Sequence, residues 1–115
     1  MSEHGFQYQV VELLAWNKIV SIECDVMSGL QYFSHLDPRR FAFINHHKKM
    51  GYRKGQIDLI VITKPFIYFV ELKTSKGKHS KEQKEFQKLI ENLDKKYLLW
   101  KNLDEVKEFI KEVKK

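Results

Sequence analysis

The sequence predicts an α/β fold, a mixed central sheet with helices on both sides. Three observations predict it. Two nearly continuous β-branched and aromatic runs, residues 57–63 and 66–74, lie mid-chain. Such runs, apolar on both faces, belong in the middle of a covered sheet. Helical apolar periodicity opens and closes the chain. After the second run comes a helical pattern and then a short strand pattern, a crossover that returns the chain parallel and right-handed. Helices on both faces of a mixed sheet follow from that order.

Taken in order, residues 3–16 read as a helix capped by Ser2, with Phe6, Val10, Leu13 and Leu14 on one face. Residues 19–26 are β-branched and partly alternating, a strand. Residues 27–37 read as irregular, or as a short second strand around Tyr32-Phe33. Asp37-Pro38 is an N-cap followed by proline at the first helical position, and Gly51 stops that helix after Met50. Lys64-Pro65 joins the two mid-chain strands, and Gly77 marks the next turn. Ser80 opens a helix to about Leu93 whose buried stripe is Phe86, Leu89, Ile90 and Leu93. Residues 97–100 form a short strand. Asn102 caps a last helix with Val106, Phe109, Ile110 and Val113 facing inward. Trp16 and Trp100 read as core.

At 115 residues, 43% of them hydrophobic, the chain suits one packed domain spanning residues 1–115. No apolar run approaches the roughly 18 residues of a membrane span. Met1-Ser2-Glu3-His4 begins no basic-then-apolar leader, so a cytoplasmic protein of a bacterium, archaeon or virus-infected cell is expected. The lone cysteine, Cys24, builds neither an intramolecular disulfide nor a Cys-rich zinc site, and reads as a small half-buried hydrophobe. Net charge is +6, unevenly spread: −4 over residues 1–37, +9 over 38–81 and +1 over 82–115. A basic middle third suits a polyanion such as nucleic acid.

The chemistry-bearing residues sit on the two mid-chain strands. With Lys64-Pro65 as a two-residue loop, 62 meets 67, 60 meets 69, and Asp58 meets Glu71 across the ladder. Opposed residues hold their Cβ atoms about 4.5–5.5 Å apart on one face. Lys73, two places on, shares that face, with Ile60, Ile62, Ile67 and Phe69 behind. Two carboxylates so placed in an apolar setting keep a proton or share a cation. Oxygen donors at that spacing suit Mg²⁺ or Mn²⁺, and an adjacent ammonium suits phosphodiester hydrolysis. The geometry depends on the loop: a three-residue loop would turn the acids to opposite faces. The plainer alternative is a strand-end salt bridge, although charge after the apolar run 66–70 is costly. His46, His47 and His79 lack a metal-ligand spacing and read as solvated or phosphate-contacting.

The segments Gly55-Gln56-Ile57-Asp58-Leu59, Phe69-Val70-Glu71-Leu72-Lys73 and Ser80-Lys81-Glu82-Gln83, with Glu3-His4-Gly5-Phe6-Gln7 before them, resemble the virus-type replication-repair nuclease (VRR-NUC) family of the PD-(D/E)XK superfamily. Ile57 stands where that family usually has proline, and residues 20–37 do not follow its pattern. The resemblance implies a restriction-endonuclease-like fold and a Mg²⁺- or Mn²⁺-dependent endonuclease. It implies Asp58, Glu71 and the Leu72 carbonyl as metal ligands, Lys73 as catalytic lysine, Glu3 reaching the metal through water, and Gln83 supporting the site. It further implies a homodimer acting on branched DNA such as four-way (Holliday) junctions. Arg40, Arg53, Lys54, Lys76, Lys78 and Lys81 are the candidate DNA contacts. Two rival readings stay open: a non-catalytic junction-binding module, and a subunit of a larger phage or repair complex.

Overall fold

The structure, a computed structural model, describes residues 2–24, 34–51, 57–74 and 77–115. The elements run α1 (Glu3–Trp16), β1 (Val20–Glu23), α2 (Pro38–Lys49), β2 (Leu59–Ile62), β3 (Ile67–Leu72), α3 (Lys81–Asn92), β4 (Lys96–Trp100) and α4 (Leu103–Val113). The four strands form one mixed sheet in the order β1-β2-β3-β4, antiparallel except for the parallel pair β3–β4. This is the predicted α/β architecture, consistent with a restriction-endonuclease-like fold.

Local chemistry sets the helix ends. The Ser2 hydroxyl accepts from the Gly5 N–H and the Asp37 carboxylate from the Arg39 N–H, as N-caps do. Gly51 lies beyond α2 at φ +104°, a backbone that glycine adopts without strain. α1 and α3 end instead on non-glycine residues in the left-handed region, Lys18 and Asp94, both at φ 59°. In each, the next N–H reaches back to the last turn, Ile19 to the Leu14 carbonyl and Lys95 to the Ile90 carbonyl, at 3.0 and 3.1 Å.

The two sheet faces differ. One buries Leu59, Val61, Val70, Leu72 and Trp100 against Phe6, Val10 and Leu14 of α1 and Val106 and Ile110 of α4. The other packs Ile57, Ile60, Phe69 and Tyr97 beneath Phe86 and Ile90 of α3, with half-buried Cys24 at its margin. α2 buries no residue and packs extensively on no other element among the described residues.

Several expectations are corrected. Trp16 is 80% exposed at the end of α1, because the helix axis has carried it off the stripe of Phe6, Val10 and Leu14. Leu89 and Leu93 are exposed, so the α3 stripe narrows to Phe86 and Ile90. Ile67 is exposed too, because the helix-covered cluster of that face ends at Phe69. The first strand is shorter than residues 19–26. Its expected end and the segment around Tyr32-Phe33 lie outside the described residues.

Candidate active site

The hairpin holds the predicted register. The Thr63 N–H bonds the Phe66 carbonyl at 2.9 Å, and Ile62 pairs with Ile67 through to Leu59 with Val70. One step further the ladder changes. The Asp58 N–H donates to the Val70 carbonyl at 3.0 Å, the carbonyl of the residue opposite Leu59. The Leu72 N–H, which a regular ladder would give to a backbone carbonyl, donates to Asp58 Oδ2 at 2.8 Å. Asp58 has therefore slipped one place on the β3 side, and its side chain replaces a main-chain acceptor. On the β1 side its carbonyl still accepts from Cys24 at 2.9 Å. The slip also explains why Ile57 joins the α3-side cluster, where strict alternation would send it to the opposite face.

Glu71 is the buried charged residue of the site, 2% exposed. The Asp58 charge acts on its carboxyl. Oε1 accepts from Gln83 Nε2 at 2.5 Å and faces Lys73 Nζ at 3.7 Å. Oε2 is buried with no hydrogen-bond partner among the described residues. Burial first, then the Asp58 charge, push the Glu71 carboxyl up to about 8, against the pull of the Lys73 ammonium.

Gln83 serves two partners. Its Oε1 accepts from the Ser80 N–H at 2.8 Å while Ser80 Oγ accepts from the Gln83 N–H at 3.1 Å, a complete capping box. Its amide nitrogen is thereby aimed at Glu71. Lys73 is held from two sides, by Glu71 and, at 3.6 Å, by Glu3 Oε1 from the first turn of α1. A Cβ on Gly77 would stand 3.1 Å from Lys73 Cδ and 3.4 Å from Glu3 Oε1, so glycine lets the loop close over that ion pair.

The structure thus brings together Asp58, Glu71, Lys73, Glu3 and Gln83, with the Leu72 backbone between them. Lys78 and Lys81 are exposed in the loop and first turn leading into α3. Arg40 sits in the first turn of α2, and no described contact carries that helix to the carboxylates. Arg53, Lys54, Lys76 and the Gly55-Gln56 part of the motif lie outside the described residues. Sequence reasoning missed Tyr97, whose hydroxyl is 3.1 Å from His79 Nε2. Tyr97 pairs with Phe69 in the parallel register, and no short-range pattern reveals that neighbourhood.

These residues fit a divalent cation. An orphaned carboxylate oxygen, a second acid within reach and a carboxyl that holds its proton too tightly are the conditions a cation relieves. The donors are hard oxygens. Among the described residues no group of three His, Cys, Asp or Glu gathers at one point.

In comparison with known proteins, the family model for the nuclease-related domain, NERD, matches residues 23–115. That span contains Asp58, Glu71, Lys73 and Gln83 and stops short of Glu3. No curated protein and no solved structure gave a match. The matched family and the virus-type motif resemblance agree on a nuclease domain.

Proposed function

Because the chain belongs to the nuclease-related domain family, we propose that it is a Mg²⁺- or Mn²⁺-dependent endonuclease acting on branched DNA, four-way junctions included. One observation carries this reading: the buried Glu71 carboxyl, with an unpartnered oxygen, beside Asp58 and Lys73 at one end of the sheet. Nothing in fold stability calls for two acids there, and a phosphodiester-cleaving centre does.

Asp58 and Glu71 would hold the cation, with the Leu72 carbonyl between them and Glu3 reaching it through water. When bound, the cation supplies Lewis acidity toward the scissile phosphate. The chain's own groups supply the rest. The Leu72 N–H fixes one Asp58 oxygen and with it the orientation of the carboxylate. Gln83 fixes Glu71 in the same way. Lys73 places an ammonium where it orients the attacking water and offsets charge gathering on the phosphate. Glu3 keeps that ammonium from collapsing wholly onto Glu71.

The branched substrate and a homodimer belong to the same proposal, supported by the motif resemblance to the virus-type replication-repair nucleases. Incubation with a labelled four-way junction and Mn²⁺ tests it. Wild type should cleave, and Asp58→Ala should lose about a thousandfold or more in rate, the scale of removing an essential charge-stabilising group. Salt-sensitive binding without hydrolysis under either metal would make the protein a junction-binding module instead.

A further inference from the structure

His79 lies in the loop between β3 and α3, one residue before the Ser80 cap. Its Nε2 is 3.1 Å from the Tyr97 hydroxyl, and the rings face each other at 6.1 Å between centroids. Tyr97 is buried on the α3 side of the sheet. A buried phenol needs an acceptor for its proton, and His79 Nε2 is the hydrogen-bond partner it has among the described residues. In the tautomer in which Nε2 accepts, Nδ1 carries the imidazole's hydrogen.

Cations converge on the same corner. Lys73 follows the register pair Leu72–Trp100, and its N–H bonds the Trp100 carbonyl at 2.9 Å, so the chain just past β4, at Lys101, runs beside it. Lys101 lies just beyond β4, and its charge reaches His79. Lys84 stands in the first turns of α3, on an exposed row with Lys81 and Lys88. Burial first, and then the charges of Lys84, Lys73 and Lys101, hold the His79 imidazole below its ordinary value. Lys73 is engaged by Glu71 and Glu3.

We propose that His79, pinned by Tyr97 and flanked by Lys84 and Lys101, binds a backbone phosphate of the nucleic-acid strand next to the scissile bond. A non-bridging phosphate oxygen accepts from Nδ1–H while the two ammonium groups neutralise its charge. The inference rests on the nuclease reading for its substrate class.

The test separates the two. Binding of a fluorescein-labelled four-way junction is measured in EDTA, where no cleavage occurs, for wild type, His79→Ala, His79→Gln and Tyr97→Phe. Cleavage is measured in parallel with Mn²⁺. His79→Ala should raise Kd about tenfold, the scale of one hydrogen bond to a charged group. His79→Gln, which can accept from Tyr97 and donate outward, should recover most of that loss. Tyr97→Phe keeps the buried ring and should weaken binding severalfold. Lys84→Ala and Lys101→Ala should each flatten the salt dependence of binding by about one unit of slope. If wild type cleaves and His79→Ala binds as wild type does, this inference fails and the nuclease reading stands. If binding depends on His79 but no metal supports cleavage, the phosphate contact stands and the nuclease reading fails. No junction binding by wild type overturns both.

Discussion

Glu71 concentrates the consequences that belong to single residues. Its carboxyl titrates near 8 in the folded protein against an ordinary value of 4.5. The folded state therefore keeps a proton that the unfolded chain gives up as pH rises between those values. Stability is fully present below about 4.5, falls as pH rises through the window and levels off above about 8. The loss is on the order of a few kcal/mol. Thermal melts from pH 4.5 to 8.5 in EDTA should show this decline beyond that of other groups, and Glu71→Gln should remove it. Saturating Mn²⁺ should also remove it and release a proton on binding, measurable by calorimetry in buffers of different ionisation enthalpy. A wild-type profile that Glu71→Gln leaves unchanged would contradict the assignment of a buried, protonated carboxyl.

At the scale of elements, the start of α3 does two jobs that can be separated. Ser80 and Gln83 cap the helix together, but only Gln83 touches Glu71. Ser80→Ala should cost about 1 kcal/mol of stability and leave the carboxylate pair in place. Gln83→Ala should cost a similar amount and also release Glu71, so cleavage of the junction should fall at least tenfold further than in Ser80→Ala. Equal activity in the two variants, measured well below their melting temperatures, would reduce Gln83 to a cap. The hairpin β2–β3 is the other decisive element. Its two-residue loop fixed the register, and the slip at Asp58 then turned a ladder position into a side-chain contact with the Leu72 N–H. Lys18 and Asp94 show the opposite situation, since left-handed helix ends without glycine carry no signal in a sequence.

For the whole molecule, the family match begins at residue 23, yet α1 precedes it and is part of the core. Phe6, Val10 and Leu14 are buried, and each contributes roughly 2 kcal/mol by area burial. Together they approach the net stability of a typical domain, about 5–15 kcal/mol. Removing residues 1–18 should therefore abolish cooperative unfolding, followed by far- and near-UV circular dichroism. Glu3→Gln in the full chain should keep the fold and lower activity, through the loosened Lys73 and the lost water-mediated reach to the cation. A folded truncated protein would show that the matched span is self-sufficient. No helix among the described residues is long and apolar enough to cross a membrane.

By itself the sequence determined the α/β class, most helix ends and the hairpin register from Ile62–Ile67 to Leu59–Val70. These follow from short-range rules: capping chemistry, a two-residue loop and the period of two along a strand. The capping box was legible for the same reason, because Ser80 and Gln83 are three residues apart, whereas the contact of Gln83 with Glu71 comes from the fold. Only the tertiary structure decided that Trp16, Leu89 and Leu93 face solvent, that Asp58 slips in the ladder, and that Tyr97 meets His79. Those outcomes depend on which helix covers which part of the sheet and on the parallel pairing of β3 with β4, separated in sequence by a whole helix. Amphipathic periodicity says that a face must be covered. It does not say by what, and packing of distant segments supplies that answer.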